Sequence, residues 1–146
     1  MKINDKLSKL IQLKFPKINH AIAYGSAAIP QKENTGKMID LIFIVKDINS
    51  FHKKNLLINQ YHYSFIARFM LGSRLISYLN DKGSYVYYNP SVVIQSEIDK
   101  TGEPNDNTKM LIKYGVISED KAIANIKKWD NLFLCGRLHK PVIRDI

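Results

Sequence analysis

Leu7, Leu10, Ile11 and Leu13 recur at helical spacing among Lys6, Lys9 and Lys14, behind a capping residue at Asn4 or Asp5 and ahead of Pro16. The pattern predicts an amphipathic first helix packed on a core, and its interspersed lysines do not suit the unbroken apolar stretch of a secretory peptide. Residues 18–24, INHAIAY, have the length of a buried strand and stop at Gly25-Ser26. A polar loop with Pro30 and Gly36 leads to residues 38–45, MIDLIFIV, a β-branched strand interrupted by one acid, Asp40. Helical spacing returns over residues 50–60 and again over 63–79, the second with Phe65, Ile66, Phe69, Met70, Ile76 and Leu79. After the turn Asn80-Asp81-Lys82-Gly83, residues 84–95 and 110–117 read as two strands of a long hairpin, joined by a connection bearing Gly, Pro and Asn. Ser118 caps a final helix that carries Ile123, Ile126, Leu132 and Leu134 toward Gly136, with Trp129 expected in the core and Cys135 as a packing residue.

This order of elements predicts an α/β (α+β) fold, a mixed central sheet flanked by helices, without internal repeat or hinge, so that residues 1–146 form one domain. With 45% apolar residues, a chain of 146 residues can bury one ordinary core. Charge narrows the partners: 22 Lys and Arg against 13 Asp and Glu leave +9, which favours an anion such as a nucleotide, a nucleic acid or an acidic lipid surface. The excess is lopsided, since residues 1–73 hold 11 basic and 4 acidic groups. One cysteine excludes an intrachain disulfide and any multi-cysteine metal site. No apolar run approaches the roughly 18 to 20 residues of a transmembrane helix, so any membrane is met from its surface.

Gly25-Ser26 at a strand end lets the backbone approach an anion closely and adds a hydroxyl beside exposed N–H groups, although the same pair also serves as a plain turn. Asp40 sharpens the picture, because an unpaired carboxylate inside an apolar strand is costly unless it is used or bonded to a neighbour. Strand, Gly-Ser, loop and acid-bearing strand, with 13 residues between Ser26 and Asp40, resemble the nucleotidyltransferase pattern of the DNA polymerase β type. There the Gly-Ser pair grips a triphosphate and the acid binds Mg²⁺. The pattern usually has a second acid two residues on, on the same strand face, and here that place is Ile42. Asp47 would lie about 23 Å along a continuing strand, at roughly 3.3 Å per residue.

Six ordered blocks resemble the mitochondrial translocator assembly and maintenance proteins, a family of phosphatidate cytidylyltransferases. They are AYGSA (23–27) with Pro30-Gln31, MIDLIFIV (38–45), FHKKNLLINQYHYS (51–64), GSYVYYNP (83–90), IKYGVIS (112–118) and WDNLFLCGRLHKPV (129–142). The resemblance implies a nucleotidyltransferase fold that uses CTP and Mg²⁺ to transfer CMP to phosphatidic acid, giving CDP-diacylglycerol and pyrophosphate. It implies peripheral contact with an acidic membrane, at the matrix side of the inner mitochondrial membrane in a eukaryote and from the cytoplasm in a bacterium. The implied catalytic set is Asp40, Ser26 and Lys113, with Asp40 as the metal ligand. Tyr24, Gly25, Ser26, Tyr87, Asn89 and Lys113 form the expected nucleotide site, and His62, Ser64, Arg137 and Lys140 the contacts to substrate phosphate or lipid.

Several of these residues also have ordinary readings. Lys113 interrupts a strand, where it either neutralises phosphate or faces solvent; Tyr87, Tyr88 and Asn89 either meet the cytosine or pack on the sheet. His52 and His62 are ten residues apart, do not share a metal by local spacing, and read as hydrogen-bonding histidines, with the resemblance drawing His62 toward the site. Arg137 and Lys140 flank His139 as phosphate contacts or as a solvated basic tail. The chain departs from the family at Ala27, where glycine is usual, at Asn125, where an acid is often seen, and in a longer stretch over residues 91–108. Family members continue into a second helical domain, which leads to the expectation of a catalytic domain without it and with impaired lipid presentation. A nucleotidyltransferase for protein, RNA or a small molecule is the first alternative. A basic nucleic-acid-binding module is the second, although nucleic acid is not an expected partner because no groove-reading or RNA-binding motif is present.

Overall fold

Strand pairing organises the molecule, seen here in a computed structural model that describes residues 3–25, 38–82, 86–95, 109–138 and 142–144. The helix α1 (Ile3–Lys14) precedes β1 (His20–Tyr24), which pairs antiparallel with β2 (Ile39–Val45). The helix α2 (Ile48–Ile58) follows, capped by Asp47, whose carboxylate accepts from the backbone N–H groups of Asn49 and Ser50 at 2.9 and 3.2 Å. After a helical segment described below come α3 (Gly72–Lys82), β3 (Tyr87–Gln95), β4 (Lys109–Ser118), α4 (Glu119–Lys128), α5 (Leu132–Leu138) and β5 (Val142–Arg144). The five strands make one mixed sheet in the order β3-β4-β2-β1-β5, with β2 and β4 parallel and the other neighbours antiparallel. This mixed sheet flanked by helices is the nucleotidyltransferase-like fold expected.

Alternation along the strands gives the sheet two different faces. Leu41, Phe43 and Val45 of β2 and Ile112, Tyr114 and Val116 of β4 face α1 and α2, packing with Leu7, Leu10, Ile11 and Phe51. Phe15, Phe43 and Tyr114 form an aromatic triple with ring centroids 5.0–5.1 Å apart. The other face carries Tyr24, Ile42, Ile44 and Ile117 against Ala122 of α4 and Leu134 of α5. Ile42, at the place of a second acid in the general pattern, is completely buried there.

Helical spacing over residues 63–79 predicts one helix, whereas the chain there, after a 3₁₀ turn (Gln60–His62), forms a wide π-type turn (Ala67–Leu71) and then α3. The reorientation occurs at Gly72, whose φ of +57° is readily accessible only without a Cβ. The predicted last helix also divides, at Trp129, which ends α4 in the left-handed conformation. Trp129 is 51% exposed rather than in the core, because this cap turns the chain outward before α5 begins. The predicted tail supplies β5, pairing Val142 with Tyr24 and Arg144 with Ile22. The loop over residues 26–37 and the connection over 96–108 lie outside the described residues.

Candidate active site

Register brings the chemistry together. Asp40 pairs with Tyr24 across the antiparallel β1–β2 ladder and with Lys113 across the parallel β2–β4 ladder. Neighbouring strands are about 4.8 Å apart and directly paired residues share a face, so the side chains of Asp40 and Lys113 leave the same face at one end of the sheet. Gly25 follows Tyr24 with φ +84°, and a Cβ built on it would lie 3.4 Å from Asp40 Oδ2. The Gly25 backbone therefore borders the carboxylate, and its conformation disfavours any other residue.

Tyr88 completes this face. Its ring is possible because β4 has glycine at position 115: a Cβ there would collide with the Val86 side chain and lie 2.7 Å from Tyr88 Cε1. The Lys113 ammonium is 5.1 Å from the centroid of the Tyr88 ring, and the Arg137 guanidinium of α5 is 5.7 Å from it. Burial raises the Tyr88 phenol pKa above its ordinary value, as do the adjacent Tyr24 and the charge of Asp40, while Arg137 opposes the rise. β3 bulges beside this cluster, since Asn89 pairs with Tyr114 and Val92 with Ile112, leaving Pro90 and Ser91 opposite Lys113.

The residues predicted as one site divide between the two faces. Tyr24, Gly25, Asp40, Lys113 and Arg137 come together, whereas Tyr87, Asn89 and His62 lie on the opposite face around Tyr63 and Tyr114. There Asn55 Nδ2 donates to the hydroxyls of Tyr63 and Tyr114, both at 2.8 Å, while its Oδ1 accepts from Asn59 Nδ2 at 2.7 Å. His52 Nδ1 lies 2.7 Å from the Tyr63 hydroxyl and His62 Nδ1 3.1 Å from that of Tyr114. Burial lowers both imidazoles to a pKa of about 4, so at neutral pH they are uncharged rings bonded to phenols. Burial likewise raises the phenols of Tyr63 and Tyr114 above their usual range. Tyr87 stacks on Tyr63 with ring centroids 6.0 Å apart and meets the His52 ring edge to face at 5.3 Å. Ser64 Oγ accepts from the Ala67 N–H at 3.3 Å, capping the wide turn. Ser26 and Lys140 lie outside the described residues.

Two features of the charged face were weakly signalled. The sequence reading groups Tyr88 with Tyr87 and Asn89, although neighbouring strand residues point to opposite faces. Gly115, inside an otherwise bulky strand, was the available sign that a ring crosses the backbone there. Asn125 is a buried bracket: it donates to the Lys121 carbonyl at 2.9 Å, accepts from the Asn131 N–H at 2.8 Å, and so ties α4 to the start of α5. Its backbone carbonyl also accepts from the thiol of the buried Cys135 at 3.4 Å, in keeping with a packing role for the cysteine.

Among the described residues no group of three or more His, Cys, Asp or Glu is placed to hold a metal. Of the described residues gathered on the charged face, Asp40 offers a hard oxygen ligand, which fits an ion such as Mg²⁺ that keeps several waters and takes further oxygens from substrate phosphates. Residues 7–144 match the family described as phosphatidate cytidylyltransferase, mitochondrial. The chain belongs to this family. A relative of that name from Mus musculus is 40% identical over 134 residues, covering 88% of this chain and 35% of its own length. One from Schizosaccharomyces pombe is 36% identical over 147 residues, covering 97% and 33%. The Homo sapiens relative is 37% identical over 134 residues, covering 88% and 26%. The chain thus spans about a third or less of the length of these family members.

Proposed function

We propose that residues 1–146 form a catalytic nucleotidyltransferase domain that transfers CMP from CTP to phosphatidic acid. The observation that carries this reading is the register that sets Asp40 between the Gly25 turn and Lys113 in a chain of this family. In the proposed reaction an anionic oxygen of the lipid phosphate attacks the α-phosphorus of CTP, the bond to the β-phosphate oxygen breaks, and pyrophosphate leaves. Because the attacking phosphate is already anionic, the step needs no strong general base. Backbone at Gly25 is free of a side chain that would block a phosphate, while Lys113 and Arg137 offset the charge of the leaving group. Mg²⁺ held by Asp40 would supply the Lewis acid that polarises the α-phosphate.

Membrane contact belongs to the same proposal. No helix among the described residues is long and apolar enough to cross a bilayer. Residues 48–80 contain no Asp or Glu and four basic residues, and within them Phe65 and Phe69 are exposed with ring centroids 4.7 Å apart. The Arg68 guanidinium lies 5.0 Å from the exposed ring of Tyr61 and 5.3 Å from that of Phe69. We assign this aromatic and basic surface to an acidic bilayer, at the matrix side of the inner mitochondrial membrane in a eukaryote and at the cytoplasmic side in a bacterium.

Thermal denaturation with each nucleoside triphosphate tests the reading. CTP with Mg²⁺ is expected to raise the melting temperature more than ATP or GTP, and a chelator to remove the effect. Equal or greater stabilisation by ATP or GTP would overturn the cytidylyltransferase reading and favour a nucleotidyltransferase with another substrate. Sedimentation with vesicles tests the surface: salt-sensitive binding to those containing phosphatidic acid, weakened in Phe65→Ser/Phe69→Ser, is expected. Unchanged binding by that variant would move the contact elsewhere.

A further inference from the structure

We infer that Tyr88, seated on Gly115, is a positioning residue that joins Lys113 and Arg137 into one anion-binding pair. The inference rests on the functional reading above for the identity of the anion, the pyrophosphate portion of a nucleoside triphosphate, but its geometry is independent of the base.

Three local features converge on the ring. First, glycine in the middle of β4 is otherwise a loss, since it contributes no packing and weakens a strand. Here a Cβ would meet Tyr88 Cε1 at 2.7 Å and Cζ at 3.0 Å, so the missing side chain is what lets the phenol lie across the strand. Second, Lys113 is two residues before Gly115 and on the same face, which brings its ammonium to 5.1 Å from the ring centroid. Third, the bulge at Pro90 and Ser91 removes the single cross-strand residue that would normally stand opposite Lys113. Ser91 has φ +55°, an uncommon conformation for a residue with a side chain, and it marks this departure from regular pairing.

Arg137 reaches the same ring from α5, a different element, with its guanidinium 5.7 Å from the centroid. Two cations within 5.1 and 5.7 Å of one ring centroid repel each other; the electron-rich ring offsets part of that repulsion, and a polyanion contacting both relieves more of it. Lysine has a long flexible stem, so holding its head group over a ring reduces the ordering required when phosphate binds. Tyr88 itself need not touch the ligand. Its role is to set where the two charges stand.

Calorimetry of the intact chain with inorganic pyrophosphate and Mg²⁺, and separately with CTP and Mg²⁺, reads this role. Tyr88→Leu is expected to weaken pyrophosphate about tenfold, and Tyr88→Phe, which keeps the ring, to restore affinity to within about threefold of the parent. Lys113→Met and Arg137→Gln should each weaken binding. Adding Tyr88→Leu to either should cost less than it costs alone, because the ring has then lost one of the cations it places. Melting temperatures accompany each variant, and should Tyr88→Leu fail to fold, Tyr88→Met replaces it in the same cycle. Pyrophosphate affinity unchanged in the folded Leu or Met variant, equal losses for Leu and Phe, full additivity with both cation variants, or no pyrophosphate binding by the parent would each overturn the inference. Loss of CTP preference with the Tyr88 pattern intact would sink the cytidylyltransferase reading alone.

Discussion

Lys113 and Tyr114 are chain neighbours, yet they belong to opposite regions of the molecule. On one face of the sheet Asp40, Lys113 and Arg137 carry charge beside a glycine turn, each only partly buried. On the other, Tyr114 meets Asn55, His62 and the aromatic core in a network of neutral polar groups, with Asn55 and His52 fully buried. The difference shows how one strand serves two purposes. The charged groups keep part of their surface exposed, whereas the polar groups that support the fold are neutral and bonded to one another. Exchanging these roles would place an unpaired charge in the core.

The largest expected effect separates the faces directly. Asp40→Asn should lower metal-dependent nucleotidyl transfer at least about a hundredfold, by removing the proposed metal ligand. Its melting temperature should stay level or rise, since a carboxylate placed for function is relieved by neutralisation. A marked fall in melting temperature with CTP binding retained would instead make Asp40 a structural acid.

Asn55→Ala should do the opposite. It leaves two buried phenols and the Asn59 amide short of a partner, at a cost of about 3 kcal/mol by denaturant unfolding, with nucleotide affinity of the folded fraction little changed. A weaker effect on stability than on nucleotide affinity would mean that the two faces are coupled.

Acid sharpens the comparison further. His52 has a pKa of about 4 in the folded chain against about 6.5 unfolded, so the unfolded state binds the proton first as pH falls. Its contribution is therefore fully present above about pH 6.5 and is lost as pH drops toward 4, amounting to about 3 kcal/mol over that window. His62 shifts in the same direction but is partly exposed, which makes its contribution smaller. Melting temperatures measured from pH 7 to 4.5 should fall steadily, and less so in His52→Gln. A flat profile in the parent would contradict buried neutral imidazoles.

The smallest effect concerns neither face. Trp129→Gly should change stability by no more than about 1 kcal/mol, because release of a left-handed conformation opposes the loss of a half-exposed indole. A loss of several kcal/mol would restore Trp129 to the core despite its exposure.

Much of this was legible before any coordinates. Short β-branched runs, MIDLIFIV and IKYGVIS, mark the strands, and Asp40 and Lys113 stand out because charge is rare in such runs. Ser118 and Asp47 both cap helices, and of the two Ser118 is the cap that the sequence pattern predicts. The breaks at Gly72 and Trp129 were not legible, since apolar spacing continues across both and says nothing of the backbone angle between them.

The sequence by itself determined which residues can share a face of a strand, where Asp40 and Lys113 interrupt the apolar runs of β2 and β4, and the family to which the blocks belong. Those are local or cumulative properties, set by alternation and composition. Only the tertiary structure decided that β2 and β4 pair in parallel with Asp40 beside Lys113, that β5 returns to β1, and that Tyr87 and Asn89 face away from Asp40 toward Tyr63 and Tyr114. Strand order and register join residues as far apart as Ile22 and Arg144, and they are settled by the simultaneous burial of two faces, which no single stretch of chain encodes.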